Sequence, residues 1–227
     1  THPKHALNSY ASATPCTDGK LVYVAWGDNN EYFMVAHDIK SGKEKWRAQL
    51  EPSLSKHGHG TATSPVIFED LVIILNEHDT GPGYIAALDK ATGKERWKIA
   101  RKIEIMTYAT PIIIEVKGEP VLINSCLDDG LMGINPRNGK VLWSTPGNFD
   151  LRTVAMPVHW KGIVYDSCGG GGESGGGEGG RRAKEGCGRE EEGTEGEGGG
   201  GGENGSGGGC GGDQGPGRSK RFVCQGF

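Results

Sequence analysis

Short apolar stretches alternate with polar turns along residues 1–168 of the chain. A typical unit has one apolar stretch, a turn containing Gly or Asp, and a second apolar stretch such as Leu71 to Leu75. Stretches of this length, rich in Val and Ile and bounded by Gly, Asp and Pro, are typical of β-strands. The unit occurs four times, beginning near Ser12, Thr63, Ala109 and Ala155. The pattern predicts an all-β fold made of paired short strands.

A β-hairpin is predicted after each of the first three units. The stretch from Ala86 to Trp97 reads Ala-Ala-Leu-Asp-Lys-Ala-Thr-Gly-Lys-Glu-Arg-Trp. In its turn, the Asp side chain bonds the backbone and Gly takes the positive φ that other residues resist. Residues 36–46 repeat the pattern, and residues 133–143 repeat it with Asn in place of Asp. We predict structural roles for the turn residues and the aromatic of each copy: Asp38, Gly42 and Trp46; Asp89, Gly93 and Trp97; Asn135, Gly139 and Trp143.

The tryptophans of these hairpins mark a repeat. They are 51 and 46 residues apart, and a period of about 40–50 residues with strand character is typical of a β-propeller. Each strand pair joined to its hairpin gives four antiparallel strands, which form one blade. The predicted blades cover about residues 11–50, 61–100 and 108–145, with half a blade at 153–168. A continuous β-sandwich is the alternative, but it would not need a Trp in every unit.

The predicted role of each Trp is packing between blades. A blade is a twisted sheet that is apolar on both faces, so its neighbours must cover it. A Trp near the end of the outer hairpin lies where two blades meet, and burying an indole removes about 150–250 Å² from water. We therefore expect Trp46, Trp97 and Trp143 to pack at the contacts between successive blades.

The repeated sequence Ala-x-Asp-x-x-(Thr/Ser)-Gly-Lys-Glu-x-Trp resembles the tryptophan-docking motif of the PQQ-like β-propeller repeat family. That family includes quinoprotein dehydrogenases and BamB, the propeller lipoprotein of the bacterial outer-membrane barrel assembly machinery. The resemblance covers about residues 11–168. It implies a toroid with more blades than the roughly three and a half four-stranded units found here, so the chain is read as an incomplete copy.

Residues 169–227 have a different composition and are predicted to form a disordered, low-complexity tail. They contain 27 of the 41 glycines, together with many Glu and Arg residues. Their few apolar side chains bury too little surface to offset the entropy lost on ordering. Two explanations stay open, a shifted reading frame and a true flexible tail.

Composition excludes some classes of function. The formal net charge is −4, and no basic patch indicates nucleic-acid binding. No apolar run reaches the length of a transmembrane helix. The six cysteines form no CxxC pair, which argues against a zinc or thioredoxin-like motif. Cys126 and Cys168 align in successive blades; a disulfide across the contact and two independent buried thiols are both considered.

Candidate chemistry is sparse. His57 and His59 lie in one loop and are weak metal candidates, since His-x-His without a third ligand is a poor signal; solvated loop histidines are the alternative. The acidic turns at residues 28–31, 78–80 and 128–130 lack the spacing of an EF-hand, and turn formation explains them. We predict no catalytic residue and no cofactor-binding residue.

The family resemblance implies two alternative functions. One is a non-enzymatic, BamB-like scaffold of the periplasm or cell envelope that binds a protein partner through its loops or channel mouth. The other is a fragment of a quinoprotein dehydrogenase, in which PQQ would lie beneath a disulfide of adjacent cysteines with calcium and a carboxylate base nearby. No adjacent Cys pair occurs in the sequence, so the scaffold is expected. A propeller that binds a small molecule or carbohydrate is a further alternative.

Overall fold

The computed structural model describes residues 12–27, 31–52, 62–78, 81–149 and 151–169, and the backbone of residues 221–226. These residues belong to one compact unit. They form four antiparallel sheets, numbered here in chain order. The described residues contain no helix long and apolar enough to cross a membrane.

Three of the sheets have four strands that pair in sequence order. Sheet 1 contains β1 Cys16–Thr17, β2 Leu21–Gly27, β3 Tyr32–Asp38 and β4 Glu44–Leu50. Sheet 2 contains β5 Val66–Phe68, β6 Leu71–Asn76, β7 Gly83–Asp89 and β8 Glu95–Arg101. Sheet 3 contains β9 Ile112–Val116, β10 Glu119–Cys126, β11 Gly130–Ile134 and β12 Val141–Ser144. Sheet 4 contains β13 Val158–Trp160, β14 Ile163–Cys168 and β15 Arg221–Gly226.

The sheets pack face to face, and three apolar clusters fill the contacts between them. Strand β6 shows why its sequence is apolar throughout. Its Val72 and Ile74 side chains belong to the cluster shared with sheet 1, whereas Leu71, Ile73 and Leu75 belong to the cluster shared with sheet 3. Because successive side chains of a strand point to opposite faces, a sheet covered on both sides needs apolar residues at every position. The predicted fold, a partial β-propeller, is confirmed.

The hairpins that carry the tryptophans have the same register in the first three sheets. Trp46 pairs with Ala36, Trp97 with Ala87, and Trp143 with Gly133. In each sheet the register shifts by a bulge immediately after this pair. A bulge increases the local twist of the strand. The three turns between outer strands therefore start from equivalent positions.

Strand β15 was not predicted from the sequence. It pairs antiparallel with β14 from Ile163 opposite Gly226 to Cys168 opposite Arg221, although residues 169–227 were predicted to be a tail. The averaged composition of that segment concealed a short run, Arg-Phe-Val-Cys-Gln-Gly, whose Phe and Val favour strands. Residues 170–220 lie outside the described residues.

Candidate functional site

The contact between sheets 1 and 2 is formed by Trp46 and the turn of the next sheet. The indole Nε1 of Trp46 donates a hydrogen bond of 3.0 Å to the carbonyl oxygen of Lys90. Its ring covers Gly93, because a Cβ added to that glycine would lie 2.5 Å from Trp46 Cε3. Gly93 also has a φ of +73°, which L side chains rarely adopt. This position requires glycine for both conformation and space.

The contact between sheets 2 and 3 repeats this geometry. Trp97 Nε1 donates to the carbonyl oxygen of Pro136 at 3.0 Å. A Cβ added to Gly139, whose φ is +74°, would lie 2.7 Å from Trp97 Cε3. Asn135 stands where the other turns have Asp, and its side-chain oxygen accepts a bond of 2.9 Å from the Arg137 amide. Asn135 therefore caps the turn of the third copy, although the other two copies have Asp at this position.

Ion pairs accompany both tryptophans. Lys90 Nζ lies 3.6 Å from Asp18 Oδ2 of sheet 1, and Arg137 Nη2 lies 2.9 Å from Glu69 Oε1 of sheet 2. The Arg137 guanidinium also stacks 5.6 Å from the ring centre of Phe68. Each pair joins a turn to the first hairpin of the preceding sheet. Both contacts therefore combine a basic residue on the turn that receives the tryptophan with an acidic residue on the sheet that carries the tryptophan.

The remaining predicted structural residues are arranged differently. In the first turn, the Asp38 carboxylate accepts bonds from the Ser41 amide and hydroxyl at 2.9 and 2.8 Å, which lower the pKa of Asp38. No described atom lies within 4 Å of a Cβ added to Gly42. Trp143 lies over Gly133 of its own sheet, where an added Cβ would be 2.3 Å from the ring. The structure brings two tryptophans onto the next turn, and in the described residues it places Trp143 on the neighbouring strand.

A buried polar cluster at the contact between sheets 2 and 3 was missed by sequence reasoning. Arg101 Nε lies 2.6 Å from Glu77 Oε1, and Arg101 Nη2 lies 2.6 Å from Asp129 Oδ2. Asn124 Nδ2 donates to Glu77 Oε2 at 3.1 Å, and Arg101 Nη2 donates to Cys126 Sγ at 3.3 Å. The Glu77 side chain is fully buried and that of Arg101 is 9% exposed. The sequence signal for this cluster was Glu77, a charged residue directly after the apolar strand β6. No neighbouring residue indicated that its partner is Arg101.

Burial controls the ionisation of this cluster. It raises the pKa of Glu77, an effect that the Arg101 guanidinium opposes. Burial disfavours the charge on Arg101, but the surrounding acidic groups, Glu77 foremost and Asp129 among them, together outweigh burial and raise the pKa of Arg101. The pKa of the Cys126 thiol rises to about 12 through burial and the nearby Glu77 charge. Cys126 is thus a protonated, unreactive thiol at neutral pH.

The described residues do not fit the calcium and quinone chemistry that the family resemblance raises. They contain no group of three or more His, Cys, Asp or Glu side chains placed to hold a metal ion. The two acids of the third acidic turn are engaged: Asp128 accepts the Glu104 amide at 3.0 Å, and Asp129 binds Arg101. The candidates His57 and His59 lie outside the described residues.

The two aligned cysteines are thiols that are not joined to each other by a disulfide. Both Cys126 and Cys168 are buried. Cys126 contacts Arg101 and lies near Asp129, whereas Cys168 belongs to the apolar cluster between sheets 3 and 4. Of the two arrangements considered from the sequence, the structure has the separate buried thiols.

Comparisons with known proteins agree with this architecture. Residues 4–102 match the family model described as outer membrane protein assembly factor BamB, which confirms the resemblance to PQQ-like repeats. BamB from Moraxella catarrhalis is 16% identical over 65% of this chain and 39% of its own, with a TM-score of 0.48. Quinohemoprotein alcohol dehydrogenase from Comamonas testosteroni is 16% identical over 70% of this chain and 29% of its own, with a TM-score of 0.50.

The chain therefore spans well under half the length of these solved structures. The search of curated protein sequences gave no match. Identities of 16% establish the fold alone. Since one fold serves many activities, function has to be argued from the residues of this chain.

Proposed function

We propose that this chain is a non-enzymatic, BamB-like propeller scaffold of the bacterial cell envelope, located in the periplasm or at the outer membrane. It binds a protein partner through its loops or channel mouth. The observation that carries the proposal is the match of residues 4–102 with the BamB family model. That match spans the first two tryptophan hairpins, Trp46 and Trp97.

The chemistry of the buried cluster supports a scaffold. A catalytic acid or base must reach a substrate directly or through water. Glu77 has a fully buried side chain, and both of its carboxylate oxygens bind side chains of the chain itself, Arg101 and Asn124. A buried pair with additional hydrogen bonds is a means of holding two elements in one arrangement. These charged groups are best explained as joining sheets 2 and 3.

The face proposed for the partner is the end of the sheets where β2–β3, β6–β7 and β10–β11 connect. Its described connection in sheet 3 carries Leu127, Asp128 and Asp129. The opposite end of that sheet carries the turn of Lys117 and Gly118. Connecting segments held by a rigid sheet framework are where proteins most often place binding residues.

The proposal is tested with the full chain immobilised and exposed to detergent extracts of a bacterial envelope. The variant Asp128→Arg changes the charge at the proposed face, and Lys117→Glu makes a matching reversal at the opposite end. We expect a defined protein to be retained by the wild type and by Lys117→Glu, and to be lost with Asp128→Arg. Retention of no protein, or equal loss in both variants, contradicts the proposed binding face.

The dehydrogenase alternative is tested separately. The full chain is mixed with PQQ and calcium, and dye reduction is followed with alcohols and sugars as substrates. We expect the rate to equal that of a heat-unfolded sample of the same chain. Turnover by the folded chain alone would replace the scaffold proposal with an enzymatic one.

A further inference from the structure

The contact between sheets 3 and 4 contains a buried acid. Asp166 of β14 is 4% exposed. It lies on the same face of the strand as Val164 and Cys168, whose side chains belong to the apolar cluster between the two sheets. Its Oδ1 accepts a bond of 2.7 Å from the Ser167 amide, whereas its buried Oδ2 has no hydrogen-bond partner among the described residues. Such an atom is unusual, because removal from water costs free energy that a hydrogen bond normally offsets.

Sheet 3 presents a hydroxyl group to this carboxyl. The Ser125 side chain of β10 lies near enough to Asp166 to act on its pKa. The Ser125 Oγ is also buried without a hydrogen bond to any residue that the structure describes. The nearby hydroxyls of Thr107 and Thr153, in contrast, are satisfied, since both donate to the Ser125 carbonyl oxygen, at 3.1 and 2.8 Å. The polar atoms left open in the described part of this contact are therefore Asp166 Oδ2 and Ser125 Oγ.

No positive charge of the described residues accompanies the carboxyl. Burial raises its pKa, and the neighbouring hydroxyl and amide oppose this effect only in part, with no contribution from a Lys, Arg or His side chain in that part of the chain. Charged groups of the adjoining segments have other partners: the Arg152 guanidinium lies 5.9 Å from the ring centre of Tyr108, and Asp129 binds Arg101. On β15, Arg221 stands opposite the last residue of β14. An ionised carboxylate here is costly, because a buried charge needs a partner.

We propose that Asp166 is a proton-binding site that controls whether sheet 4 stays packed on sheet 3. With the proton bound, the carboxyl is neutral and its O–H donates to Ser125 Oγ, so both open atoms are satisfied. When the proton leaves to solvent, a negative charge remains in an apolar contact, and separation of the two sheets lets water reach it. This inference does not depend on the proposed function, since it concerns the packing of two described sheets and not the partner they bind.

The packing of sheet 4 on sheet 3 should weaken as the pH rises. The pKa of Asp166 in the folded protein lies above its ordinary value of 3.8. The stabilisation that the bound proton gives is therefore complete below that ordinary value and is lost as the pH rises through the folded-state pKa. We accordingly expect the contact to be closed in acid and to open more often towards neutral and alkaline pH.

Two buried thiols report the opening of two contacts separately. Cys168 is buried between sheets 3 and 4, and Cys126 is buried beside Arg101 at the contact between sheets 2 and 3. The full chain is treated with a thiol-alkylating reagent at pH 5 and at pH 8, and peptide mass spectrometry follows each cysteine. Because the thiolate is the reactive form and its fraction rises with pH, wild type and variants are compared at the same pH.

Asp166→Asn keeps the shape of the side chain but cannot ionise. At pH 8 we expect its Cys168 to react about tenfold or more slowly than that of the wild type, because a tenfold difference in proton affinity between the closed and open states changes their ratio tenfold. At pH 5 the difference should shrink. Cys126 should react equally in both chains. Glu115→Gln, which changes an exposed acid of sheet 3, should match the wild type at both cysteines.

Several results would overturn the proposal. Equal labelling of Cys168 in wild type and Asp166→Asn at pH 8 would mean that the carboxyl does not control the contact. Equal slowing at Cys126 would mean that the whole protein opens. Faster labelling in Arg221→Gln would mean that the carboxylate is paired with that guanidinium, and slower labelling of the wild type in sodium than in tetramethylammonium would mean that a metal ion binds instead. Asp166→Leu, equally uncharged, repeats the comparison if Asn disturbs folding.

Discussion

Trp46 and Gly93 belong to adjacent sheets and lie so close that no side chain fits between them. A Cβ on Gly93 would be 2.5 Å from the indole ring. The same relationship joins Trp97 to Gly139. The glycine of the motif therefore has two roles. It adopts the positive φ that its own turn needs, and it leaves space for the tryptophan of the preceding repeat.

Gly93→Ala should destabilise the protein through both effects. A non-glycine residue in the left-handed region costs about 1–2 kcal/mol, and forcing a methyl group into a packed contact adds about 1–3 kcal/mol. Gly118→Ala is the matched control, because its φ is +83° and no atom of the described residues lies within 4 Å of the added Cβ. In urea unfolding, Gly93→Ala should lose more stability than Gly118→Ala. Equal losses would show that the Trp46 ring moves aside freely.

Trp97→Ala should lower the free energy of unfolding by about 3–5 kcal/mol, as is usual for a large aromatic in a packed contact. The variant also leaves the Pro136 carbonyl without the indole N–H. Trp160→Ala is the control, since that side chain is 59% exposed and exposed positions change stability by about 0.5 kcal/mol or less. A thermal melt in which both variants match the wild type would remove the packing role of Trp97.

Glu77→Gln should destabilise the contact between sheets 2 and 3. It removes one of the two carboxylates that lie 2.6 Å from the Arg101 guanidinium and leaves only that of Asp129; removing one partner of a buried ion pair costs up to about 3–5 kcal/mol. The double variant Glu77→Met, Arg101→Met should recover most of the loss, because well-packed apolar residues often replace a buried pair without penalty. Denaturant unfolding measures both variants. Glu51→Gln, which breaks the exposed pair with Lys98, should cost about 1 kcal/mol or less.

Asp166→Asn should stabilise the protein at pH 7. Asp166 is 4% exposed, and burial raises the pKa of its carboxyl. A raised folded-state pKa means that the folded protein holds this proton more tightly, so stability is lost as pH rises through that pKa. The advantage of the amide should shrink as the pH is lowered from 7 to 4, because the folded protein takes up the Asp166 proton more readily than the unfolded chain does. Unfolding at pH 4 and pH 7 measures the difference, and Glu115→Gln, an exposed control, should show none. An advantage that is the same at both pH values contradicts a titrating Asp166.

Lys117→Asn should stabilise the turn between β9 and β10. Lys117 has a φ of +51° and is followed by Gly118 at +83°, the geometry for which two-residue hairpins prefer Asn-Gly. Relief of backbone strain should raise stability by about 0.5–1 kcal/mol. Lys140→Asn, just after a turn, has no positive φ to relieve and is the control. A melt that shows no gain for Lys117→Asn would mean that the Lys side chain makes a compensating contact.

The repeat, the all-β class and the turns could be predicted from the sequence alone. These are local properties: Asp38 and Asp89 bond amides within three residues, and the glycines that follow them need a positive φ that can be predicted from residue type. The apolar run of β6 similarly indicated a strand covered on both faces. The short strand β15 was not predicted, because its few residues follow a long segment dominated by glycine and the composition of the whole segment favours disorder.

Which side chains contact each other across the sheets could be established only from the three-dimensional structure. Trp46 and Trp97 reach the turn of the next sheet, and Trp143 lies on Gly133 of its own sheet; the described residues of sheet 4 include no corresponding turn. Glu77 and Arg101 are 24 residues apart. They pair because β6 and β8 both run antiparallel to β7 and so finish at the same end of sheet 2. Such contacts depend on how whole sheets pack against each other. A short stretch of sequence does not specify which residues of another sheet it will contact.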